Sequence, residues 1–238
     1  MSANLLVELM TEEFILWRCL HSGPLSRRTI DQFPASNPLD WDRYRQRNTP
    51  LLLKLTRTYG ACAIIARQGD SVVGMLRFYP KVVGAMKGAG YLCLQQDSPA
   101  GPGDEFADQE FPPLAAIQDK TLSVHCLMTG SNQQKANPFQ RKGLGTQMTE
   151  TLIDWAQARG WRHIEADSFE DLPIIYEITG SAGHTFWKKL GFHLADRHPH
   201  PHLQEENEFV RQLLEQARAS GLNSDRARDQ LLMRLDLT

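Results

Sequence analysis

Apolar and polar positions along the second half of the chain change period twice. Residues 121–128 (TLSVHCLM) and 161–168 (WRHIEADS) read as strands, and between them residues 146–159 carry a helical period ended by Gly160. Leu144, Met148, Leu152, Trp155 and Ala156 stand at i, i+4, i+8, i+11 and i+12, which gathers an apolar stripe on one side of a helix. Strand, helix and strand at this spacing predict a βαβ unit with parallel strands and a right-handed crossover. Further on, residues 182–190 read as a short helix with Gly191 as its left-handed stop, followed by a strand from Phe192. An amphipathic helix over 205–220, ended by Gly221, and a last strand over 230–237 complete the pattern.

The first half is less regular. Residues 15–20 form a short apolar run that predicts a strand, and residues 26–31 offer a helix start. Residues 40–58 have helical spacing, but Pro50 predicts a break into two pieces. Residues 60–67 and 71–79 are strand-like runs joined through Gln68-Gly69-Asp70, the signature of an antiparallel hairpin. Residues 80–113 are rich in Gly and Pro around one strand-like stretch at 91–95, and so long a loop usually serves as a lid or binding segment.

Composition narrows the class. The 238 residues suit one core with an appended subdomain, and 26 basic against 28 acidic side chains argue against a nucleic-acid partner. Four cysteines without a C-x-x-C pair are too few for a disulfide framework. No apolar run reaches the roughly 18 residues of a membrane span, and residues 1–14 lack the basic start of a secretory signal. The expectation is a cytoplasmic globular protein with no membrane or nucleic-acid partner.

The chemistry concentrates in Gln140-Arg141-Lys142-Gly143-Leu144-Gly145-Thr146, which follows a strand and opens a helix. Unpaired backbone N–H groups and the positive end of a helix dipole collect there and favour a phosphate. Gly143 and Gly145 allow close approach of a diphosphate, and Arg141 and Lys142 add charge. The same residues also suit an ordinary loop with a basic cap. The spacing is neither that of a P-loop nor of a dinucleotide fingerprint.

This segment resembles the pyrophosphate loop, Q/R-x-x-G-x-G/A, of the GNAT superfamily of acyl-CoA-dependent N-acetyltransferases. Phe186-Trp187-Lys188-Lys189-Leu190-Gly191-Phe192 is similar to that family's short helix ending in Gly-Phe, and the hairpin over 60–79 to its second and third strands. The resemblance covers about residues 60–192 in the expected order. It implies an α+β (α/β/α) fold with a mixed, splayed sheet of about seven strands flanked by helices. It further implies one domain over 1–238 with its core at 60–195, a loop insertion at 80–113, and a C-terminal helix and strand over 203–238. The activity implied is transfer of an acetyl or short acyl group from acetyl-CoA, with no metal, by direct attack of a primary amine on a small molecule or peptide. A homodimer is the assembly such a domain allows. In that reading the main chain near Leu127 and Met128 meets the pantetheine and donates an N–H to the thioester carbonyl. The alternative is a non-catalytic acyl-CoA sensor of the same fold.

Amine acylation needs a proton acceptor. Strand alternation places Ser123, His125 and Leu127 on one face of the fourth strand, and His163, Glu165 and Asp167 on one face of the fifth. Glu165 and His125 are the candidate bases if those faces meet in a wet pocket. Otherwise they are a solvated carboxylate and a core histidine. Where the family often has a tyrosine acid this chain has Trp187, where it often has Asn this chain has Gly180, and about six extra residues fall within 130–136. Tyr176 is the substitute acid, or else a packed aromatic, and Trp187 is expected beside the pantetheine. Alternation also sets Cys126 on the face opposite His125, which argues against a Cys-His pair. The His-Pro tract over 197–202 reads as a solvated loop rather than a metal site.

Overall fold

A computed structural model describes residues 4–20, 23–32, 41–84, 110–130, 137–179 and 182–238. The expected strand at 91–95, the extra residues 131–136 and Gly180 lie outside the described residues. The chain groups into two compact units, Met1–Trp161 and Arg162–Thr238.

In the first unit β1 (Leu5–Leu9), β2 (Ala63–Gln68), β3 (Ser71–Pro80) and β4 (Thr121–Thr129) pair antiparallel in that order. The hairpin is the one the sequence predicts. Its turn is Gly69-Asp70, since Gln68 pairs with Ser71, and Gly69 sits at φ +60°, where a side chain would be strained. The strand β1 stands in place of the one expected at 15–20. That run is irregular and buried, with Leu16 and Leu20 fully enclosed. The predicted helix start at 26–31 is a turn, held to the hairpin by the bridge between Leu25 and Val72.

A single helix, α1 (Trp41–Tyr59), runs through Pro50 where two pieces are expected. Proline removes one N–H from the ladder, while Leu51, Leu52, Leu55 and Tyr59 stay buried and hold the helix to the core. After the short α2 (Lys81–Gly84) and β4 comes α3 (Leu144–Arg159), ended by Gly160 at φ +78°. The predicted stripe is buried, Trp155 packing on Phe78 of β3 at 5.1 Å between ring centroids. Side chains as enclosed as Met148 and Leu152 contribute about 1.5–3 kcal/mol each. Gly74 of β3 is where α3 comes closest: a Cβ there would lie 3.2 Å from both Leu144 Cδ2 and Met148 Cε. The first turn of α3 is thereby seated on the sheet.

The second unit contains β5 (His163–Ser168), α4 (Pro173–Thr179), α5 (His184–Lys189), β6 (His193–Pro199), α6 (Glu208–Ala219), α7 (Ser224–Ala227) and β7 (Asp229–Asp236). Here β7 pairs antiparallel with both β5 and β6. Asn207 caps α6 by accepting from the Val210 N–H at 2.9 Å, and Val210, Leu213 and Ala217 pack with Leu172, Ile174 and Ile175 at α4. The sequence reading misses β1 and the short helices α2, α4 and α7. With seven strands and helices packed on them, the chain has the expected α+β class.

Candidate functional site

The loop before α3 is built around two left-handed residues. Arg141 is at φ 57° and Gly143 at φ 77°, and Arg141 is the single non-glycine residue with positive φ among the described residues. Asn137 anchors the loop base, its Nδ2 donating to the Thr129 carbonyl at 2.6 Å and its Oδ1 accepting from the Phe139 N–H at 3.0 Å. Gly143 is the N-cap of α3, without a side-chain cap, and its carbonyl accepts the first helical bond from the Gln147 N–H at 3.0 Å. The N–H groups of Leu144, Gly145 and Thr146 therefore precede the helical ladder. A Cβ on Gly143 would meet nothing within 4 Å, and the flanking Gln140, Arg141 and Lys142 are exposed. The sequence places unpaired amides, positive charge and a bare backbone here, and the structure has all three together. Such a cradle suits a diphosphate.

On β4 the structure corrects the alternation. The register pairs Arg77 with Cys126 and Phe78 with Val124, so His125 is the extra residue of a β-bulge. Ser123 pairs with Tyr79 and Leu127 with Leu76, residues of β3 an odd number apart, so Ser123 and Leu127 point to opposite faces rather than sharing one. The α3 side of the sheet holds Gly74, Phe78 and Leu127; the other holds Arg77, Tyr79, Cys126 and Met128. The ring of His125 lies against Tyr79, 5.2 Å between centroids, so alternation no longer separates it from Cys126.

Burial, and after it the nearby Arg77, pushes the His125 imidazole down to about 4, and its Nε2 is enclosed with no hydrogen-bond partner. Arg77 itself is fully buried and donates to the Leu16 carbonyl at 2.6 Å. Sequence reasoning passes over it, although a lone arginine inside the run SVVGMLRFY is the signal that could have found it. Cys62, fully enclosed, has its thiol pushed up to about 11 by burial, which makes it a poor nucleophile.

His125 bears on stability as well as chemistry. The unfolded chain binds its proton near 6.5 and the folded chain only near 4, so stability is complete above pH 6.5 and declines as pH falls through this window. The decline attributable to this side chain is roughly 3 kcal/mol. Denaturant midpoints measured from pH 7 to pH 4 should fall less steeply in His125→Gln, and equal slopes would remove His125 as the cause.

In the second unit Glu165 is buried at 3% exposure rather than lining a wet face, and its Oε1 accepts from Arg234 Nη1 at 3.2 Å across the β5–β7 register. His163 pairs alongside with Asp236 at 2.8 Å, and that hydrogen bond holds the Asp236 carboxyl below its ordinary range. This ladder of opposite charges gives Glu165 a structural reason to be there. Tyr176 on α4 is 49% exposed, so it is not a core aromatic. Where the sequence reading expects Trp187 beside the pantetheine, the indole is 2% exposed and packs against Phe186 and Phe192 at 5.0 and 5.1 Å. The histidines over 198–202 join no metal-binding group, and none exists among the described residues.

Among solved structures the chain is similar to N-acetyltransferases. An agmatine N-acetyltransferase mutant in its apo form shares 14% identity over 98% of this chain and 99% of that one, with a TM-score of 0.49. An N-acetyltransferase from Staphylococcus aureus Mu50 shares 14% over 99% of each chain, with a TM-score of 0.48. The ribosomal-protein-S18-alanine N-acetyltransferase from Escherichia coli shares 10% over 99% and 95%, with a TM-score of 0.47. No family model matches the chain, and no curated protein matches it in sequence. Among the described residues no helix is long and apolar enough to cross a membrane.

Proposed function

We propose that the chain transfers an acetyl or other short acyl group from acetyl-CoA to a primary amine by direct attack, its diphosphate held at residues 140–146. The observation that carries this reading is the uncapped first turn of α3, opened by Gly143 at φ 77° and flanked by Arg141 and Lys142. With the diphosphate at the end of β4, the pantetheine runs back along the strand toward Leu127 and Met128. A main-chain N–H there stabilises the oxyanion of the tetrahedral intermediate.

His125 is the proton acceptor in this reading. Its imidazole is neutral at physiological pH, and its partnerless Nε2 has no competing bond to break. It is too weak a base to strip a free alkylammonium, so the amine attacks as the neutral species. Bond formation to the carbonyl carbon then acidifies the attacking nitrogen, and His125 takes the proton at that stage. The thiol, with a pKa of about 8.5, leaves without an obligatory acid. The rate should accordingly rise with the free-base fraction of the amine and show no limb near pH 6.5.

A screen of small amines, polyamines and peptides for acetyl-CoA-dependent thiol release tests the proposal. On the acceptor so found, His125→Ala should lower turnover by about 10² with little change in CoA affinity, and Tyr176→Phe should leave turnover near wild type. Binding of CoA with no acceptor-dependent release across the screen would instead make the chain a non-catalytic acyl-CoA-binding module.

A further inference from the structure

The β2–β3 hairpin carries a second basic concavity outside the loop at 140–146. Ser26, Arg27, Arg28, Arg67, Asp70 and Ser71 line a pocket of about 580 Å³. Two chain segments build it. The turn carrying Arg27 and Arg28 is tied to the hairpin through two backbone bonds, Leu25 N–H to Val72 O at 3.0 Å and Val72 N–H to Leu25 O at 2.6 Å. The turn is closed internally by the Ser26 N–H donating to Thr29 Oγ1 at 2.8 Å. Arg67 comes from the end of β2, at an irregularity in the β2–β3 register, and Asp70 and Ser71 from the hairpin turn.

Three guanidinium groups against one carboxylate leave the lining with a formal charge of +2. Their own acidic partners compensate poorly. Glu13 is 4.0 Å from Arg27 and its side chain is 86% exposed, so water screens that pair. Arg67, by contrast, is paired: it donates to Glu8 Oε1 at 3.3 Å with both side chains about a third exposed, so the poorly compensated charges are those of Arg27 and Arg28. Arg28 has no hydrogen bond or ion pair among the described residues. Arg27 and Arg28 stand side by side on the tethered turn facing the hairpin, and guanidinium forks match tetrahedral oxyanions in paired bonds. The volume is that of a small-molecule pocket rather than a macromolecular surface.

We infer that this pocket binds the phosphoryl group of a small phosphorylated molecule, at a site separate from the loop at 140–146. The inference stands whether or not the chain acylates amines. Inorganic pyrophosphate titrated calorimetrically at low ionic strength into the full chain carrying Gly143→Val, in which the cradle at 140–146 is blocked, is the probe, with succinate as the carboxylate control. Pyrophosphate affinity should fall at least about tenfold in the double variant Arg27→Ala/Arg28→Ala and rise in Asp70→Asn. Because Arg27 and Arg28 are exposed, the double variant should keep the wild-type melting temperature. Saturable pyrophosphate binding should persist in that Gly143→Val background. No measurable binding, equal affinity for succinate, or affinity unchanged when Arg27→Ala/Arg28→Ala is added to the Gly143→Val chain would each overturn the assignment.

Discussion

Replacing Trp187 with alanine is expected to lower stability by about 3–5 kcal/mol, the range for deleting a large buried aromatic. The indole is 2% exposed and wedged between Phe186 and Phe192 on the short α5 and the turn after it. A helix of six residues has little stability of its own, so tertiary packing at Trp187 is what holds α5 in place. A loss of this size is a large fraction of the 5–15 kcal/mol typical of a domain. Trp187→Phe should lose far less, because a ring remains and the buried Nε1, which has no partner, is removed. Urea midpoints of the two variants check this. An alanine variant with a wild-type midpoint and weakened CoA binding would instead make Trp187 a ligand contact.

The second large effect concerns Glu165. Removing Arg234 takes away the guanidinium that donates to this buried carboxylate at 3.2 Å, and breaking a buried pair from one side costs up to about 3–5 kcal/mol. Arg234→Met should therefore be strongly destabilised at neutral pH. Glu165→Gln, whose amide oxygen still accepts from Arg234, should be milder and should keep turnover near wild type on an identified acceptor. Turnover lowered by about 10² in a stable Glu165→Gln would return the carboxylate to a proton-relay role.

Where side-chain period and local chemistry agree, the architecture is readable from the residues. The stripe from Leu144 to Ala156 is buried as spaced, and Gly69-Asp70 makes the turn between β2 and β3. Pro50 misleads because one missing N–H is outweighed by the buried leucines around it. β1 goes unseen because LLVEL is short and has no strict alternation; its pairing with β2 is a long-range fact. The same limit governs the site. The loop at 140–146 is local, so glycines and basic residues announce it. The faces of β4 are not, since one bulged residue at His125 reverses every position on one side of it. The pairing of Glu165 with Arg234, 69 residues apart, leaves no mark in the spacing around either.

If the opening of α3 holds the CoA diphosphate, as proposed, binding depends on the bare backbone at Gly143. Titration calorimetry of acetyl-CoA into the wild-type chain and into Gly143→Val tests it most directly. A side chain at Gly143 meets no protein atom within 4 Å, so the variant should fold with only the local strain of a left-handed valine. It would, however, occupy the space in which the diphosphate approaches the amides. Saturable binding to the wild type, and affinity weakened by more than about tenfold in the variant, is the expected result. Equal affinity for both, with circular dichroism confirming a folded variant, would contradict it.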